Sequence, residues 1–128
     1  MMSGDLIDFW LKESTCRQVL IIDINTKKII TCNEEANDFL GVTLEGMSLK
    51  ELATKNTSPT IQAGLLFCLY IQNKCLRENK NMLSLEHFNG SSYLSFRFII
   101  RYKSRRCLLL EIQKVSCDCM SVNKIQII

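Results

Sequence analysis

Long apolar stretches are missing from this chain. The longest, Leu65 to Ile71, is seven residues. A helical bilayer crossing needs roughly 20, so no membrane span is expected. Histidine is equally scarce, with His87 alone among 128 residues. It stands in a strand-like run just before Asn89-Gly90, where a rim or structural role is expected rather than a general base. The five glycines form no P-loop, no GxSxG elbow and no dinucleotide fingerprint. Protein-kinase signatures are absent too. Charge of one sign is not in excess: 16 Lys and Arg against 13 Asp and Glu leave a net +3. Nothing in that balance calls for nucleic acid or an anionic membrane. There is no internal repeat and no low-complexity segment. These absences argue against an enzyme.

The chain does have a normal core-forming composition, 47% hydrophobic with 23% charged, in a length that suits one domain. It also has seven cysteines, at 16, 32, 68, 75, 107, 117 and 119. An odd number cannot pair fully, and several lie in apolar segments where a free thiol acts as a small hydrophobe. No secretory signal is expected, because MMSGDLIDFW carries acids and no basic segment. A reducing compartment, cytoplasmic or nuclear, follows. Cys117 and Cys119 lack the second pair that a tetrahedral zinc site needs. Cys68 and Cys75, on one helix, stand about 10.5 Å apart along its axis and cannot share an ion. No metal is expected.

Residues 18–41, QVLIIDINTKKIITCNEEANDFLG, organise the rest. Val19 to Ile22 is an apolar, mostly β-branched run suited to a strand buried on both faces. Asp23 to Thr26 break it as a turn, and Ile29 to Cys32 resume it. Asn33 fits an N-cap, Glu34 and Glu35 suit the positive end of the helix that follows, and Gly41 ends it. Before this stretch, residues 3–13 predict a flanking helix with Leu6, Ile7, Trp10 and Leu11 on one face. After it, Thr43 or Ser48 caps short helical turns, and Ser58-Pro59 starts a long apolar helix expected to reach about Lys74. Met82 to Phe88, Tyr93 to Tyr102 and Cys107 to Val115 read as strands. Asn89-Gly90 is a hairpin turn, and Lys103 to Arg106 a charged one.

The order Asp23, Ile29-Ile30, Asn33, Ala36, Leu40-Gly41, with LEHFNG at residues 85–90, resembles the PAS domain family over residues 16–115. The resemblance implies an α+β fold: a five-stranded antiparallel sheet, order 2-1-5-4-3, with helices packed on one face. It divides the chain into a flanking helix (1–15), the PAS-like domain (16–115) and a tail (116–128). The spacing between Gly41 and Gly46 is about three residues shorter than in the family, so the small helices there should be abbreviated. Residues 20–41 most resemble the PAS region of eukaryotic PAS-domain serine/threonine kinases, which would make the chain a fragment or short isoform.

The implied function is a non-catalytic sensory or regulatory module that controls a protein partner or linked domain, such as a kinase. Haem is not expected, since the long helix holds no histidine. A flavin photoadduct is not expected either, since no Asn-Cys-Arg-Phe-Leu-like motif precedes that helix. The resemblance implies a small apolar interior, either a packed core without ligand or a seat for a small apolar one, lined by Leu20, Ile22, Ile30, Phe39, Leu65, Leu69, Phe96, Phe98, Leu108 and Leu110. No charged residue is expected there. The candidate partner surface comprises Leu6, Trp10, Arg101, Lys103, Arg105 and Arg106, with homo- or heterodimers through the sheet and the first helix. The alternative is a profilin-like or longin-like interaction scaffold without ligand, which strand order would separate from the PAS reading.

Overall fold

A computed structural model describes residues 4–13, 17–41, 43–56, 58–78 and 80–115. The proposed tail, with Cys117 and Cys119, lies outside the described residues, as do the side chains of Leu6 and Trp10. Five strands, β1 (Gln18–Asp23), β2 (Ile29–Cys32), β3 (Met82–Phe88), β4 (Ser91–Tyr102) and β5 (Arg105–Val115), form one sheet in the order β2-β1-β5-β4-β3. Every neighbouring pair is antiparallel. This is the order the PAS resemblance implied, and the profilin-like or longin-like alternative is not retained.

The two central strands explain themselves. Val19 to Ile22 in β1 and Cys107 to Leu110 in β5 are each no more than 1% exposed. Unbroken apolar runs are what a strand needs when both its faces are covered. Inside, helices α2 (Glu34–Leu40), α3 (Leu49–Lys55) and α4 (Pro59–Glu78) cover one face of the sheet. Leu20, Ile22, Leu108, Leu110 and Ile112 meet Leu40, Leu49, Leu65, Cys68 and Ile71 there. Outside, helix α1 (Gly4–Glu13) lies on the opposite face. Its Ile7 and Leu11 pack with Val19, Ile21, Leu109 and Ile100, and the Tyr102 hydroxyl donates to Asp8 Oδ1 at 2.8 Å.

Asn33 joins strand to helix. Its Oδ1 accepts from the Ala36 N–H at 3.0 Å, capping α2, and from the Val19 N–H at 3.0 Å. Its Nδ2 donates to the Arg17 carbonyl at 2.6 Å. Gly41 closes the helix at φ 73°, where its N–H donates to the Asn37 carbonyl. Ser48 and Glu51 form a reciprocal capping box on α3, which satisfies two otherwise orphaned N–H groups.

Two boundaries differ from the sequence expectation. Helix α4 continues past Lys74 to Glu78, because Cys75 is fully buried and extends the apolar stripe by one more turn. The β4–β5 turn is only Lys103-Ser104, both left-handed at φ 49° and 63°. Arg105 and Arg106 are therefore strand residues and not part of the turn.

Candidate functional site

The layer between α4 and the inner sheet face holds the functional candidates. Its floor follows from register. Arg97 pairs with Leu110, Ser95 with Ile112 and Phe98 with Leu109. Directly opposed residues share a face, so β4 presents Tyr93, Ser95, Arg97 and Ile99 inward. Phe96 and Phe98 point to the other side. Ile30, placed by the bulge between β1 and β2, packs with the outer cluster as well. These three are therefore not liners of the inner layer. Leu20, Ile22, Leu65, Leu108 and Leu110 do belong to it, and Phe39 and Leu69 pack against it.

One end of the layer is aromatic. Phe67 of α4 stacks on Phe88 with centroids 4.6 Å apart and leans on Tyr93 at 5.3 Å. Phe39 meets Tyr93 edge-on at 6.0 Å. A groove of about 520 Å³ opens beside them, walled by Phe39, Pro59, Ala63, Phe88 and Tyr93.

Further along β3 and β4 the layer turns ionic, which corrects the expectation of a charge-free interior. Arg97 has no exposed surface and Glu86 is 7% exposed. Arg97 Nη2 donates to Ser84 Oγ at 2.8 Å, and that hydroxyl donates onward to Glu86 Oε2 at 2.7 Å. Lys74 of α4 reaches the same carboxylate oxygen at 3.2 Å. Arg97 Nε and Nη1, Ser95 Oγ and Gln72 Oε1 are buried with no hydrogen-bond partner among the described residues. Gln72 also walls a second groove, of about 360 Å³, rimmed by Thr26, Lys27, Ser48 and Lys50. Sequence reasoning missed Arg97, Ser95, Ser84, Glu86 and Gln72 as a group. The signal was there: antiparallel pairing across an even-numbered turn puts Arg97 on the face of the leucines at 108 and 110.

The basic residues proposed for a partner surface gather at the other end of β4 and β5. Arg101 and Arg106 oppose each other across the ladder and flank a groove of about 270 Å³. Arg105 pairs with Asp23 Oδ2 at 3.4 Å. Lys103 sits over the Tyr102 ring at 5.3 Å. His87 is exposed, with Nδ1 2.9 Å from Ser92 Oγ. No carboxylate orients that ring among the described residues, so the pair lacks the third group of a nucleophile triad.

The four thiols among the described residues are held neutral. Burial pushes Cys68 up to about 12. It pushes Cys32 to about 11, with Glu45 adding to the effect. Cys107 rises to about 11, first by burial and then by Asp23. Cys75 is raised by burial, with Arg97 opposing. Since the thiolate is the nucleophile, alkylation at pH 8 is expected to be slow at the half-buried Cys32 and to reach the buried Cys68, Cys75 and Cys107 only through opening of the fold. Peptide mapping after timed iodoacetamide exposure checks this, and rapid native labelling of Cys68 would contradict it. The sign for stability follows. With folded values above the ordinary 9.0, the contribution is complete below pH 9 and is lost as pH climbs toward the folded values.

Among the described residues there is no cluster of three or more His, Cys, Asp or Glu placed to hold a metal, and no helix is long and apolar enough to cross a membrane. No family model and no curated protein matches the sequence. Solved structures do match the fold. The PAS domain of Bordetella pertussis BvgS superposes with a TM-score of 0.58 at 11% identity, over 95% of each chain. A domain of an HTR-like protein from Haloarcula marismortui gives 0.57 at 12% identity, over 80% of this chain and 100% of that one. A sensory box sensor histidine kinase from Vibrio cholerae gives 0.55 at 15% identity, over 88% and 89%. The chain has the PAS fold.

Proposed function

We propose that this chain is a non-catalytic sensory or regulatory module that passes the state of its inner layer to a partner or linked domain. The observation that carries it is the two-sided sheet. The inner face, under α4, holds the aromatic and ionic groups. The outer face seats α1 through Ile7, Leu11 and the Asp8–Tyr102 bond. A displacement of β4 or β5 caused from inside therefore bears on α1 outside. The likeness to a chain described as a sensory box sensor histidine kinase supports a linked signalling domain as the recipient. A serine/threonine kinase is one such recipient, on the resemblance of residues 20–41. The basic end of β4 and β5, at Arg101 and Arg106, suits an acidic partner. Cytoplasmic location accords with a module rich in neutral, unpaired thiols.

The test perturbs the inside and reads the outside. Phe67→Leu loosens the aromatic stack under α4. Hydrogen exchange along α1 is expected to quicken several-fold while β2 holds its protection, since local opening is confined to coupled units. Exchange in α1 that stays unchanged, or that rises only together with β2, would defeat the reading.

A further inference from the structure

The ionic part of the inner layer contains more positive charge than it can match. The Arg97 guanidinium is permanently charged, has no exposed surface, and among the described residues bonds only to a neutral hydroxyl. Nε and Nη1, which carry three of an arginine's five N–H groups, have no partner among the described residues. Glu86 is the carboxylate of this network, and Ser84 and Lys74 already bond it. Two cations thus face one anion. A buried charge of this kind is strongly unfavourable when it is left uncompensated. Ser95 Oγ, two residues along the same face of β4, is also unpartnered and fully buried. Gln72 lies one turn before Cys75 on α4, and Cys75 is within electrostatic reach of Arg97.

We propose that Arg97 anchors a binding site for a small carboxylate anion, enclosed between α4 and β4, with Ser95 and Gln72 supplying neutral hydrogen bonds. A carboxylate is planar and matches the guanidinium fork with short, charge-assisted bonds. It would bring the local balance to two cations and two anions. The Ser95 hydroxyl donates to it. The Gln72 carbonyl oxygen accepts, and so favours a ligand with a hydroxyl or amine beside its acid group. Gln72 also walls the groove whose rim carries Lys27 and Lys50, and a cationic rim concentrates anions at its mouth. The proposal gives the sensory reading above its ligand class and rests on that reading for its purpose, not for its chemistry.

The experiment titrates the intact chain with glycolate, acetate and phosphate at constant ionic strength, with chloride as the balancing salt. Thermal melts and the Arg97 Nε–H resonance are the readouts. Glycolate is expected to raise the melting temperature saturably and to shift the Nε–H signal, with acetate weaker. In Arg97→Met the apparent affinity is expected to fall about tenfold or more. Should Arg97→Met fail to fold, the wild-type Nε–H signal decides. Identical effects of all salts, an Nε–H signal indifferent to glycolate, or full binding in a folded Arg97→Met would overturn the site. A preference for phosphate would overturn the carboxylate assignment. Binding without any change in α1 exchange would leave this site standing and defeat the signalling reading. The reverse result, α1 responding to Phe67→Leu while no carboxylate binds, would do the opposite.

Discussion

Replacing Asn33 by alanine is expected to lower the unfolding free energy by about 3 kcal/mol, a large share of the roughly 5–15 kcal/mol typical of a domain. Three bonds go at once. Loss of the cap on Ala36 N–H costs about 1 kcal/mol. The Val19 N–H is buried, and losing its partner costs about 1–3 kcal/mol, while the Arg17 carbonyl, on an exposed residue, loses its bond with water in reach. Asn33→Asp keeps the acceptor but gives up the donor to Arg17 and places a charge at a site only 5% exposed. It should fall between the two. Urea unfolding checks the order, read from the midpoint at unchanged slope. A loss below about 1 kcal/mol for the alanine variant would mean that β1 does not depend on this side chain.

The second large effect concerns consecutive residues on β5. Leu109 and Leu110 have no exposed surface, and they belong to the outer and inner clusters respectively. Leu→Ala in a packed core costs about 2–5 kcal/mol, so about 3 kcal/mol is expected for each. The local consequences should separate: Leu109→Ala frees amide exchange in α1, and Leu110→Ala frees it in α4. The double variant is the sharper measurement. Independent layers would give additive losses. Coupled layers, as the proposed function requires, should depart from additivity by about 0.5 kcal/mol or more. Strict additivity would count against transmission across the sheet.

Much of this architecture is legible in local chemistry. Val19 to Ile22 announces a doubly covered strand, Asn33 to Gly41 writes its own cap and stop, and Asn89-Gly90 specifies a hairpin. Those signals are short-range and compete with nothing. The inner face was harder to read, because the alternation in β4 points the wrong way. Leu94, Phe96, Phe98, Ile100 and Tyr102 look like a core face, and for a sheet covered on one side they would be. Here α1 covers the Phe98–Tyr102 end of that row on the outside. The polar row of Ser95 and Arg97 faces α4. Hydropathy alone cannot rank two apolar environments, whereas pairing parity with Leu108 and Leu110 can. The exposed Leu83 and Leu85 of β3 continue the outer row beyond α1. The grooves beside Phe39 and Gln72 depend on how helices settle across the sheet, which no local pattern encodes.

The adjacency of Leu109 and Leu110 sets how thin the divide is between the packed layer under α4 and the seat of α1. A single peptide bond separates the two residues. No intermediate layer stands there to soak up a displacement. A molecule wedged beneath α4 would have to be accommodated by flexing that one wall, and the helix resting against its far side would tilt with it.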